Sequence, residues 1–164
     1  MKFSEVEQKH YMHNSNLKAL LNEIANGSTN GKLLNNPKVA MGTTSKAKVK
    51  TSAFEYVKDG VFHSVAGTET AFTATTHDLD DLSEAIYVIS CKLADDSIVI
   101  TMGQPVLSED GDAVAPATPA GHLKLGEVKI ETEGAGFVAG TTLLDAETLT
   151  ATFTSKTDYF SGLA

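Results

Sequence analysis

AFEYVKDGVFHSV, residues 53–65, is the stretch on which the fold turns. Apolar and polar side chains alternate on either side of Lys58, Asp59 and Gly60. Asp-Gly between two alternating runs is the strongest short-range hairpin signal, because the tight turn needs positive φ at both central positions. Residues 53–57 and 61–65 are therefore expected to pair, with Phe54, Tyr56, Phe62 and Val65 as the packing side chains. The same period of two recurs downstream. Residues 69–75 carry Ala71, Phe72 and Ala74, and residues 85–93 and 97–102 flank Ala94, Asp95 and Asp96 as a second hairpin. Residues 122–132 alternate through Leu123, Leu125, Val128 and Ile130, with a slip at Gly126 that predicts a bulge. Residues 148–154 form a last strand. Between these lie a helical turn expected over 79–84, an acidic Pro/Ala loop over 103–120 and a Gly/Ala turn around Phe137 and Val138. Roughly six or seven short strands separated by turn signals predict a mainly β, antiparallel fold: a β-sandwich, a jelly roll or a small barrel.

Upstream the pattern changes. Leu17, Leu20, Leu21 and Ile24 follow the i, i+3, i+4, i+7 stripe of an amphipathic helix, and Asn26–Gly27 is a stop signal, so residues 4–26 predict one or two short helices. Residues 27–48 are rich in Gly, Asn, Ser and Thr, and Pro37 forbids a continuing helix, which predicts an extended tether. The organisation expected is a partly helical, extended N-terminal arm over residues 1–50 and a β domain over residues 51–164.

Charge divides the chain at the same place. The 164 residues carry a net charge of −8, yet residues 1–50 sum to +5 and residues 51–164 to −13. Such asymmetry points to an acidic partner at one end. Nucleic acid fits poorly: arginine is absent, the lysines are dispersed, and only Phe3 and Tyr11 offer stacking in the basic part. An acidic protein surface fits better, with Lys2, Lys9, Leu17, Leu20, Leu21, Ile24, Lys32 and Lys38 as candidate partner-binding residues. No apolar run approaches the length of a membrane span and no apolar leader opens the chain, so synthesis in the cytoplasm and no membrane contact are expected.

Chemistry-bearing constellations are sparse. Asp78, Asp80, Asp81 and Glu84 cluster, as do Glu109, Asp110 and Asp112, but neither group has the spacing of a complete calcium loop, and solvated loop acids are the expectation. His10, His13, His63, His77 and His122 with the single Cys91 lack zinc-site spacing. Cys91 sits in an apolar run and reads as a buried, inert thiol. Nucleophile-elbow, phosphate-loop and dinucleotide motifs are missing. No catalytic residue, metal or cofactor is expected, and the chain is read as a non-enzyme.

Three blocks carry a resemblance: the hairpin FEYVKDGVFHSVAG, the following AFTAT, and PAGHLKLGEVKIETEGAGFVAGTTLL. Together, over about residues 51–145, they resemble small virion structural proteins of tailed bacteriophages. The resemblance implies a capsid decoration (cement) or head-fibre-like protein, commonly a homotrimer, bound to the major capsid protein or another virion protein at the capsid surface. Two other functions are weighed beside it. A tail or fibre component would bind a host surface. A carbohydrate-binding module or adhesin would need aromatic platforms from Phe62, Tyr87, Phe137, Phe153, Tyr159 or Phe160.

Overall fold

The computed structural model describes residues 31–157, and among them there is no helix. The described residues run through eleven strands: β1 (Lys32–Leu33), β2 (Val39–Met41), β3 (Lys48–Thr51), β4 (Phe54–Lys58), β5 (Val61–Val65), β6 (Thr68–Ala71), β7 (Ser83–Lys92), β8 (Ile98–Met102), β9 (Val106–Leu107), β10 (His122–Thr132) and β11 (Leu149–Ser155). They form three antiparallel sheets. The largest has the order β11-β10-β7-β8, with β9 also on β7; the smaller ones are β1-β4-β5 and β2-β3-β6. Their inner faces share one core, in which Tyr87, Ile89, Leu125, Val128 and Ile130 of the large sheet meet Leu33, Val39, Val49, Phe54 and Tyr56 of the small ones.

The expected hairpin is β4–β5. Asp59 (φ 50°) and Gly60 (φ 74°) both occupy the left-handed region that a two-residue turn of this hand demands. One packing residue was placed on the wrong face. Register pairs Phe54 with Val65 and Tyr56 with His63, so Phe62 falls opposite Val57 on the other side of the sheet and is 58% exposed. The long pair β7–β10 appears where alternation predicts it, and its register shifts between Lys124 and Gly126. Glycine is obligatory there. A Cβ at 126 would overlap the Thr154 carbonyl oxygen and come within 2.7 Å of Val39 Cγ2.

Two expectations are corrected. Residues 79–84 form no helical turn: Leu79 bridges to Phe137, Leu82 adopts φ 54°, and β7 begins at Ser83. The second correction concerns the arm. Its part from residue 31 onward belongs to the β body: β1 pairs with β4, and β3 is the middle strand between β2 and β6. Leu33 and Val49 are 2% and 1% exposed. A boundary at 50/51 would cut through β3 (Lys48–Thr51). The apolar residues that look scattered along the arm are core residues contributed by strands too short for a period to show. Residues 4–26, expected to be helical, lie outside the described residues, and so does the tail at 158–164.

Candidate functional site

The strand sequence KVKT at 48–51 sorts itself by alternation. Val49 and Thr51 point into the core, and Lys48 and Lys50 point out. Over this outer face runs an open groove of about 580 Å³, lined by Thr43, Thr44, Lys48, Lys50, Ser52 and Thr68 among others. Its rim is set by Glu69 of β6, which stands opposite Lys50 in register. The Glu69 carboxylate accepts the backbone N–H groups of Thr43 (2.6 Å), Thr44 (2.7 Å) and Ser45 (3.2 Å), and the Thr43 hydroxyl at 3.0 Å. These donors, the Thr44 N–H foremost, hold its pKa down to about 2. Glu69 is thus a permanent anion that clamps the 43–45 turn rather than an acid or base for catalysis. Lys50 Nζ donates to Thr43 Oγ1 at 3.1 Å and extends the same network. The groove offers the Lys48 and Lys50 ammonium groups and several hydroxyls beside the Glu69 carboxylate, whose charge is taken up by the 43–45 turn, a chemistry suited to binding an anionic, extended segment.

A second polar cluster joins the hairpin to the β7–β8 turn. The Tyr56 hydroxyl donates to Asp96 Oδ1, and His63 Nδ1 lies 3.7 Å from Asp96 Oδ2. The Tyr56 and His63 rings stack at 4.8 Å between centroids. Burial, then the bond to Asp96, pushes the Tyr56 phenol above its ordinary range. Cys91, fully buried beneath, is pushed up to about 11 by burial and by Asp96 and Asp95. Such a thiol stays protonated near neutrality and is no nucleophile.

His77, Glu84 and His122 are engaged as well. His77 Nδ1 accepts the Thr73 N–H at 2.9 Å, and its ring lies beside the backbone of Ile100. A ring nitrogen that accepts an N–H carries no proton, which places the imidazole proton on Nε2, and burial lowers the pKa. On the outer face of the large sheet, Glu84 meets Lys129 Nζ at 2.8 Å and accepts the Ala113 N–H. Burial opposes the charge on Glu84, but Lys129, Ala113 and Glu131 outweigh it and its pKa is lowered. Ser90 and His122 Nδ1 are 3.1 Å apart, but Ser90 is fully buried. Among the described residues no group of three or more His, Cys, Asp or Glu is placed to hold a metal ion. Asp78 of the first acidic cluster instead accepts the Ala139 N–H at 2.8 Å.

Of the candidate partner-binding residues, Lys2, Lys9, Leu17, Leu20, Leu21 and Ile24 lie outside the described residues. Lys32 stands half-buried in β1 opposite Val57. Lys38 is exposed just before β2, with φ 32° and its N–H on Asn36 Oδ1 at 2.9 Å. Lys32 therefore belongs to the β1-β4-β5 sheet, and Lys38 leads into the β2-β3-β6 sheet. Lys48 and Lys50 were not singled out as contacts from sequence, although the spacing of lysines either side of Val49 already puts both on one strand face. Glu69 was not recognisable, because its partners are 24 to 26 residues away. No family model, curated protein or solved structure matches this chain.

Proposed function

We propose that the chain is a non-enzymatic structural protein of a tailed-phage virion, a decoration protein that binds the major capsid lattice. The contact is formed by the basic N-terminal residues, Lys2 and Lys9 with the Leu17–Leu20–Leu21–Ile24 stripe, and by the lysine-bearing face of the β body next to them in sequence. The observation that carries this reading is the outward pair Lys48 and Lys50 over an open, hydroxyl-lined groove. It extends the +5 segment into the folded body of a chain whose remainder sums to −13. An acidic partner segment laid in the groove meets complementary charge, while the acidic remainder of the body faces solvent and keeps the particle surface soluble. Within this reading the fold is a small antiparallel sandwich, with the large sheet as one layer and the two three-stranded sheets as the other.

Co-sedimentation of the full chain with capsid shells stripped of it tests the proposal. Binding is expected to weaken with rising salt. The double reversal Lys48→Glu/Lys50→Glu is expected to reduce binding by about tenfold or more, with circular dichroism unchanged. Undiminished capsid binding by that variant would remove the groove from the contact. If the chain failed to bind shells at all, the decoration role itself would fall.

A further inference from the structure

The edges of the three sheets are not treated alike. On the large sheet one edge is β8, and there the His77 ring lies beside the Ile100 backbone. The other edge is β11, LTATFTS, and no strand lies beyond it among the described residues. It has no charge and no proline, two of the devices that normally blunt an edge. The ladder fixes which of its backbone groups are free. Glu133 N–H bonds to Thr148 O and Lys156 N–H to Leu125 O, so Thr150, Thr152 and Thr154 exchange their bonds with β10. The N–H and C=O of Ala151 and Phe153 point outward. At the ends, Leu149 N–H is taken by Ala146 O, and the Ser155 hydroxyl takes the Val39 N–H, so the open stretch is 150–154.

We infer that β11 is a docking edge for a second copy of this chain, pairing antiparallel about a two-fold axis at Thr152. Two free residues spaced two apart are self-complementary in that register. Ala151 meets Phe153 of the partner copy and Phe153 meets its Ala151, which satisfies both outward groups of each residue. Thr150 then faces Thr154, and Thr152 faces its own symmetry mate, on the outer face where all three are exposed. Threonine pairs across antiparallel strands are favourable. Charge allows the contact. Each chain carries −8, but the pairing stretch itself is uncharged, and the ionised row on β10, Glu127, Lys129 and Glu131, would sit three strand spacings from its counterpart. That is about 14 Å, beyond the screening length at physiological salt. The open stretch, residues 150–154, is only about 17 Å long, so the dimer is weak and reversible in solution. It is a different contact from the threefold association that the phage resemblance implies, and it does not depend on the capsid reading.

The test uses the full chain. At a non-hydrogen-bonded antiparallel pair the facing Cα atoms are about 4.5 Å apart, within disulfide reach. Thr152→Cys is therefore expected to give a covalent dimer under mild oxidation. Thr150→Cys is not, because its mate would lie about 14 Å away. Cys91 does not compete, being buried and protonated. In sedimentation equilibrium, wild type is expected to show a reversible monomer–dimer equilibrium, weakened about tenfold by Thr152→Lys, which opposes two like charges across the axis. Equal cross-linking of the two cysteine variants would overturn the inference. So would a trimer indifferent to Thr152→Lys, or a strict monomer, as when residues 158–164 of the same chain cover β11.

Discussion

Thr51 is 1% exposed, and its hydroxyl has no hydrogen-bond partner among the described residues. It faces the core beside Val49 because β3 alternates, and an unsatisfied hydroxyl there costs free energy for no contact. Thr51→Val is expected to raise stability by about 1 kcal/mol, read from the urea midpoint. Two other residues set the response to acid. The His77 pKa is lowered from 6.5 in the folded state, so below 6.5 the unfolded chain binds a proton that the native state refuses, and stability falls as pH drops. The Glu69 pKa is lowered from 4.5 to about 2, so its contribution is complete above 4.5 and is lost as pH falls from there through 2. Urea midpoints against pH are expected to show both limbs, with the lower one flattened in Glu69→Gln and the upper one in His77→Gln.

At the scale of elements, β7 and β10 form the spine, and the two faces of their sheet are stabilised differently. The inner face buries Ala85, Tyr87, Ile89, Val128 and Ile130. The outer face carries a lysine–glutamate row in which Lys129 bridges Glu84 at 2.8 Å and Glu131 at 2.7 Å. Its pairs are not of equal worth. Glu84 is almost fully covered, so removing its cation leaves a charge with poor access to water. Lys129→Met is expected to cost roughly 1–3 kcal/mol by denaturant titration, since the Ala113 N–H remains as partial compensation. Lys92→Ala removes an exposed pair with Asp95 and is expected to leave the midpoint nearly unchanged. The hairpin shows how an element can be read correctly and one of its faces misassigned. Asp59–Gly60 specifies the turn, but whether Phe62 is inside depends on register, and a shift of one residue exchanges the faces.

For the whole molecule, the deciding feature is that the sequence between 31 and 51 is part of the core. Leu33, Val39 and Val49 reach it from three different strands, and Leu144 N–H bonds to Lys46 O from the far end of the chain. Removing residues 1–30 is expected to leave a cooperative two-state unfolding transition. Removing residues 1–50 takes away β1, β2 and nearly all of β3 and is expected to abolish it. Circular dichroism with thermal melts separates the two outcomes, and a folded 51–164 fragment would contradict this account of the core.

Local sequence was enough for the strand class, the Asp59–Gly60 hairpin, the β7–β8 and β10 segments, the bulge at Gly126 and the charge division of the chain. Each is written in neighbours one to four residues apart, through alternation, turn chemistry or composition. It took the folded arrangement to place residues 31–50 in the sheets, to turn Phe62 outward, to set Glu69 as the clamp of a distant turn, and to put His77 beside one edge of the large sheet while β11 has no further strand paired to it among the described residues. These depend on pairings between residues far apart in the chain, where two- to four-residue strands are too short to leave a period and register rather than composition assigns each side chain its face.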